Sequence, residues 1–289
     1  MFWYATAFAV ATMLFLALDD VISKRVAEHL GTYKSSMIIL GVAMLPPIVA
    51  VAIFGAGGLT AQVFGLAAIG GIFLGAGYVL IYKSLESEQV TNTMALYEIS
   101  PAVLIIAGVF LFGEPIDAIE AASILVIAIG AFLITTNEKF RFKSAFLPAI
   151  AGNVLLAVYS PFMALAIQDS HDIMGPILIA WALSFIVSLA AFMLFFERHG
   201  GHRIKRISGK TMRSLLGWGV LAGIFDGLGG IAFGAVALLN VLVIGGAMEA
   251  LVPGLIGVLG RIFYKDRLTV PQLIGFVVMI AGATAISVF

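Results

Sequence analysis

Ten long apolar stretches run through this chain and leave almost no residues for a soluble domain. Each holds about 20 mostly apolar residues, the length of a helix that crosses a bilayer, and only 11% of the 289 residues are charged. An outer-membrane barrel would instead show segments of about 10 residues with alternating polarity. We therefore predict an all-α membrane protein with ten transmembrane helices. The predicted spans are 2–22, 34–54, 62–82, 90–112, 116–135, 146–167, 175–196, 214–236, 240–263 and 270–288.

Most breaks between the spans are polar or rich in glycine, as at 23–33. The break at 237–239 is apolar, and we place it there because the stretch 214–263 is too long for one span. The first span begins without a basic segment before it, so we do not expect a cleaved signal peptide.

Lysine and arginine are confined to one side of the predicted bundle. All 16 lie in or beside the loops that follow odd-numbered spans, whereas the loops after spans two, four, six and eight contain none. The positive-inside rule makes the basic side cytoplasmic, which places both termini outside a cell (inner or plasma) membrane. We interpret the basic run at 198–213 as a loop that sets this topology, and we expect no nucleic-acid partner.

A shift of 152 positions aligns two parts of the chain without gaps. Residues 71–75 (Gly-Ile-Phe-Leu-Gly) fall on residues 223–227 (Gly-Ile-Phe-Asp-Gly), and Pro101 falls on Pro253. Because each half then holds five spans, an odd number, the halves enter the membrane in opposite senses. We predict two inverted five-helix repeats, 1–136 and 144–289, with a substrate site near the midplane between them.

Two segments carry a family resemblance. The sequence Glu98-Ile99-Ser100-Pro101, followed by an apolar run to Phe112-Gly113-Glu114-Pro115, resembles the end of an EamA domain, as does the segment 264–275. Two such five-helix domains make the ten-helix drug/metabolite transporter superfamily. The resemblance implies a transporter, often an exporter of amino acids or other metabolites, that works by alternating access around a central cavity.

Three acidic side chains, Glu98, Asp226 and Glu249, lie near the middle of predicted spans. A charged group at the centre of a membrane helix costs roughly 2.5–3.5 kcal/mol on insertion scales. No lysine, arginine or histidine lies at that depth, and burial away from cations favours the neutral carboxyl group. These acids are candidates for substrate binding or proton coupling. The structural alternative is a neutral acid that hydrogen-bonds to a neighbouring helix.

The repeat sharpens the case for these acids. Asp226 replaces the leucine at position 74 in an otherwise matching pentapeptide, so the fold itself does not require an acid there. Glu98 and Glu249 come from equivalent spans, and Pro101 and Pro253 follow them by three and four residues. Because proline removes a helical hydrogen bond, we predict helix breaks or gates at both prolines.

Further candidates lie elsewhere in the spans. Asp20 ends the first span, where it either serves coupling or forms an ion pair with Lys24, four residues on. The candidates for cavity-lining groups are Tyr78, Tyr97, Asn153 and Trp181. Glu114 and Asp266 fall at helix ends, where we interpret them as dipole partners of the span that follows each.

The sequence therefore predicts a secondary transporter of a small organic metabolite, namely an amino acid, an amine or an organic cation. We expect export by alternating access, with proton coupling as one option and a monomer or homodimer in the lipid membrane. The alternative is a membrane-embedded enzyme that acts on a lipid or small molecule. It finds little support, because there is no HExxH motif, all four histidines lie in loops and cysteine is absent. We expect neither a metal nor a cofactor.

Overall fold

The computed structural model describes residues 2–86, 99–135, 146–199, 209–265 and 269–288. Within these ranges the chain forms twelve α-helices. They are α1 (Phe2–Leu30), α2 (Thr32–Ala43), α3 (Leu45–Phe54), α4 (Ala61–Leu85), α5 (Ile99–Phe112), α6 (Ala118–Thr135), α7 (Phe146–Ser170), α8 (Met174–His199), α9 (Gly209–Leu238), α10 (Leu242–Glu249), α11 (Val252–Tyr264) and α12 (Val270–Val288).

The helices have the length and surface of membrane-spanning segments. Seven helical segments in the described ranges are long and apolar enough to cross a membrane, and three further apolar helices are shorter. Large apolar side chains lie on the outside of the bundle, such as Phe54 at 76% exposure and Phe110 at 81%. In water such a surface would aggregate, whereas lipid accommodates it. The chain is an all-helical multi-pass membrane protein, and each predicted span contains at least one of these helices.

The first helix is longer than the sequence predicts. The segment 23–33 was expected to be a loop, but α1 continues to Leu30 and only Gly31, at a φ of 79°, separates it from α2. The polar side chains that suggested a loop have partners within the bundle. Ser23 Oγ donates to Asp19 Oδ1 at 2.7 Å, and Lys24 Nζ donates to the Leu85 carbonyl at 2.7 Å. A helix therefore continues through them at no large desolvation cost.

The break before the ninth span is displaced from its predicted place. The prediction at 237–239 is wrong by about two residues, because α9 runs to Leu238 and α10 begins at Leu242. Asn240 makes the turn with a φ of 56°. Asparagine is among the few non-glycine residues that adopt this left-handed conformation readily, and composition alone did not single it out.

Two of the predicted spans are interrupted. The second divides into α2 and α3 at Met44, and the ninth divides into α10 and α11 at residues 250–251. Proline occupies the first turn of the second piece in both cases, as Pro46 and Pro47 in α3 and as Pro253 in α11. Proline suits a first turn because its missing N–H group has no partner there.

The repeated pentapeptide packs helices tightly against each other. A Cβ atom added at Gly71 of α4 would overlap the carbonyl oxygen of Ala180 in α8. At the equivalent Gly223 of α9, an added Cβ would lie 2.5 Å from the carbonyl oxygen of Ile39 in α2. Small residues let membrane helices approach this closely. The same motif therefore makes the α4–α8 contact and the α9–α2 contact.

The last helix of each half meets its counterpart in a reciprocal way. Gly130 of α6 packs against Met279 of α12, and Gly282 of α12 packs against Ile127 of α6. The shift of 152 positions converts one contact into the other. Because the residue number rises along α6 as its partner's number falls along α12, the two helices run antiparallel.

Candidate functional site

A cavity lies between the helices at the centre of the bundle. Its walls come from most of the helices, namely α1, α4, α5, α7, α8, α9, α10 and α11. Most lining groups are apolar or aromatic, and a few carry hydroxyl or carboxyl groups. This composition, mostly apolar with a few polar groups, is typical of small-molecule sites.

Three carboxyl groups from three helices face the cavity. Asp20 comes from α1, Asp226 from α9 and Glu249 from α10, and Asp226 is completely buried. No lysine, arginine or histidine occurs among the described residues that line the cavity. An apolar chamber with several carboxyl groups and no basic neighbour attracts a cation or retains protons.

The Asp226 carboxyl group is held from one side. The Tyr78 hydroxyl of α4 donates to Asp226 Oδ1 at 2.5 Å, and the Tyr78 ring stacks on Tyr82 with centroids 5.7 Å apart. Oδ2 of Asp226 has no hydrogen-bond partner in the part of the chain that the structure describes. The Trp181 indole lies close enough to interact with this carboxyl group, so Oδ2 faces an N–H donor without a hydrogen bond of standard geometry.

Aromatic rings form another part of the wall. The Tyr159 ring lies 6.1 Å from Trp181 in an edge-to-face arrangement and 6.2 Å from Phe233. The Tyr159 hydroxyl and the Trp181 Nε1 group are buried without a hydrogen-bond partner in the described ranges. Trp181 reaches this place because α9 has a glycine opposite it, since a Cβ atom on Gly230 would lie 2.5 Å from the ring.

The interrupted ninth span ends at the cavity. Glu249 is the last residue of α10, and its helix stops directly before the break at residues 250–251. The carboxyl end of a helix carries partial negative charge, so α10 adds to the attraction for a cation. Pro101 of α5 also lines the cavity. Pro253 is buried in the first turn of α11 and is not among the residues that line the cavity.

The carboxylate of Glu114 has a partner that the sequence did not reveal. We expected it to stabilise the helix that follows it, but that helix is capped by Asp117, whose Oδ1 accepts from Ile119 N at 2.8 Å. Glu114 instead accepts from Leu242 N at 2.7 Å and Val243 N at 2.9 Å, at the start of α10. The prediction is wrong because it considered only neighbours in sequence. Its counterpart Asp266 lies outside the described residues.

The remaining predicted residues divide into three groups. Asn153 does not line the cavity in the described structure, contrary to expectation, because its Nδ2 group turns back to donate to the Ala149 carbonyl within α7. Trp181, Tyr78 and Asp20 all line it. Glu98 and Tyr97 lie outside the described residues.

The first half of the chain matches a known family. Residues 3–136 match the sequence profile of the EamA-like transporter family. The resemblance in the sequence motifs is thereby confirmed for residues 3–136.

The chain also resembles one curated protein. An uncharacterized transporter named YxxF from Bacillus subtilis (strain 168) is 27% identical over 104 residues, which cover 36% of this chain and 33% of that protein. The alignment thus spans about a third of the relative's length. A solved crystal structure superposes with a TM-score of 0.70 at 16% identity and covers 98% of each chain. At this identity the likeness establishes the fold.

The EamA-like half supplies only part of the cavity wall. Residues 3–136 include α1 to α6 and therefore contribute Asp20, Tyr78 and Pro101. Asp226 and Glu249 come from the second half. Neither half alone assembles the three carboxyl groups.

Proposed function

We propose that the protein is a secondary transporter that binds a small organic cation, such as a protonated amine, in its central cavity. The observation that carries this proposal is the meeting of Asp20, Asp226 and Glu249 in one chamber whose described lining has no basic residue. Carboxylates attract a cation strongly where water is scarce. Phosphorylated solutes need lysine or arginine in the site, so their transport does not fit.

The aromatic wall favours an organic cation over a metal ion. A cation placed over an aromatic face gains about 0.5–2 kcal/mol, more where the site is desolvated. Tyr159, Trp181 and Phe233 provide such faces, and they also match an apolar substituent on the ligand. In the described residues no group of three or more histidines and acids is arranged to hold a metal ion.

We infer further that the two halves, 1–136 and 144–289, are inverted repeats that exchange access between the two sides of the membrane. The paired glycine contacts of α4 with α8 and of α9 with α2 support this, as does the antiparallel reciprocal contact of α6 with α12. Inverted halves with interrupted helices at the midplane are a common plan of alternating-access transporters. The distribution of basic residues supports outside termini.

Export and proton coupling complete the proposal. When the cation leaves, several carboxyl groups remain in an apolar chamber, and retaining all their charges there is unfavourable. Protons from the outside are the simplest replacement for the departing cation. A proton entering and a cation leaving amounts to export by exchange.

Transport into proteoliposomes tests this function. Uptake of radiolabelled phenethylamine, driven by a pH gradient, is expected for the wild-type protein and to be lost in Asp226→Asn and Glu249→Gln. Glu28→Gln serves as the control, because this glutamate is 51% exposed on the side chain and lies outside the cavity. All variants are first checked for monodispersity and thermal unfolding in detergent.

A ligand screen narrows the substrate class. Amines and quaternary ammonium ions are expected to raise the unfolding temperature of the protein. Amino acids are expected to do so only if binding depends mainly on their ammonium group. Wild-type flux in both cavity variants would remove the proposed role of these acids. Stabilisation by phosphate esters and not by amines would overturn the substrate class.

A further inference from the structure

A further buried acid lies beside the cavity without lining it. Asp19 of α1 is 1% exposed. Its neighbour Asp20 lines the cavity, whereas Asp19 does not. Its Oδ1 atom accepts a hydrogen bond from Ser23 Oγ at 2.7 Å. A buried acid that does not touch the substrate chamber needs another explanation.

A buried tyrosine faces the same place. Tyr82 of α4 is fully buried and lies in electrostatic range of Asp19 and beside Ser23. Its hydroxyl group makes no hydrogen bond of standard geometry within the described part of the chain, and Ser23 is the polar side chain nearest in interaction with it. The Tyr82 ring stacks on Tyr78, which donates to Asp226. A polar cluster thus adjoins the cavity acid through two stacked rings.

The charged groups around Asp19 are nearly all acidic. Asp226 of α9 and Asp20 of α1 lie in electrostatic range of it. The nearest basic residue along α1 is Lys24, whose Nζ donates to the Leu85 carbonyl and lies 3.9 Å from Glu28. Acids this close in an apolar interior titrate as a coupled group. A charge that enters the cavity beside Asp226 therefore changes the proton occupancy of Asp19 as well.

We propose that Asp19, Ser23 and Tyr82 form a second proton-exchange site, outside the cavity, that releases a proton when an organic cation binds beside Asp226. This inference rests on the proposed function. On cation binding the O–H bond of the Asp19 carboxyl group breaks, its electron pair stays on the carboxylate oxygen, and the proton passes to water. The Ser23 hydroxyl stabilises the carboxylate by its hydrogen bond.

Calorimetry measures this proton release directly. The probe is N,N,N-trimethylphenethylammonium, whose fixed charge contributes no proton of its own, and it is titrated into the full-length protein in detergent. Repeating the titration in buffers of different ionisation enthalpy gives the number of protons released per bound cation. Absence of binding by the wild-type protein would overturn the proposed function itself, and this inference with it.

Two adjacent acids on one helix provide a matched pair of variants. Asp19→Asn is expected to bind the probe with a dissociation constant within about threefold of wild type and to release fewer protons, by up to about one, since one titrating group is removed. Asp20→Asn, which alters the cavity wall, is expected to weaken binding about tenfold or more, as loss of a charged contact does. Wild-type proton release in Asp19→Asn would overturn the inference.

A milder variant covers the case in which Asp19→Asn does not fold. Ser23→Ala keeps the Asp19 carboxyl group and removes the hydrogen bond that stabilises its ionised form. The pH profile of proton release is then expected to move to higher pH, with the binding stoichiometry unchanged. An unchanged profile in Ser23→Ala would contradict the assigned role of this site.

Discussion

The hydrogen bonds between Glu114 and the start of α10, called the clamp below, lead to a prediction about the position of Glu249. Glu114 follows α5, yet its carboxylate accepts the first two backbone N–H groups of α10, which ends at Glu249 in the cavity. Gly113 makes the turn that permits this, with a φ of 67°. We predict that Glu114→Ala loosens α10 and displaces the Glu249 carboxyl group.

The expected magnitude follows from the geometry. Hydrogen bonds to a charged group contribute about 1.5–3 kcal/mol each, and Glu114 makes two of them at 2.7 and 2.9 Å while only 8% exposed. Glu114→Ala is therefore expected to destabilise the start of α10 by about 3–6 kcal/mol. Glu114→Gln keeps one acceptor oxygen and is expected to cost about half as much.

Asp117 offers a matched control. Its carboxylate also accepts two backbone N–H groups, those of Ile119 and Glu120, but at an exposed helix end. Removal of an exposed cap costs about 1 kcal/mol. Asp117→Ala should therefore have a much smaller effect than Glu114→Ala, although both variants lose the same number of hydrogen bonds.

Hydrogen–deuterium exchange of peptides covering residues 239–249 reports the local effect. A loss of about 3 kcal/mol speeds exchange on the order of 100-fold, because 1.4 kcal/mol corresponds to a factor of ten. Unchanged exchange in Glu114→Ala, or equal effects of the two alanine variants on thermal unfolding, would refute the clamp.

Two further predictions concern glycines. Gly71→Ala is expected to lower the unfolding temperature in detergent by several degrees because its Cβ overlaps the Ala180 carbonyl, whereas Gly65→Ala, with nothing within 4 Å, should leave it unchanged. Gly230→Ala is expected to push the Trp181 ring, 2.5 Å from the new Cβ, toward the cavity. Phenethylamine affinity should then fall while the unfolding temperature changes little, and unaltered affinity would contradict the placement of this ring.

The sequence predicts the helical spans well because the bilayer fixes their length and polarity. It predicts their ends less well, because polar residues inside a bundle resemble loop residues until their partners are known. Ser23 and Lys24 illustrate this, since one bonds within α1 and the other bonds to the end of α4. The turn at Asn240 was missed for the opposite reason, because its surroundings are as apolar as the spans themselves.

The site was predictable in its chemistry but not in its connections. Acids within apolar spans identify themselves by their cost, which singled out Asp226 and Glu249. Nothing in the sequence indicated that Tyr78 donates to Asp226, 148 residues away, or that Glu114 binds the start of α10. Asp19 was not singled out, because the spacing of four residues to Lys24 favoured its neighbour Asp20.

The cavity owes its chemistry to positions where the two halves differ. Leu74 and Asp226 occupy equivalent places in the repeated pentapeptide, and both line the cavity. One turn further on, Tyr78 in the first half corresponds to Gly230 in the second. The tyrosine supplies a hydroxyl for the Asp226 carboxyl group, and the glycine leaves room for Trp181. The packing glycines are duplicated because both halves need the same helix contacts, whereas the tyrosine hydroxyl and the space for Trp181 are each present in one half, so the repeat is broken at these two positions.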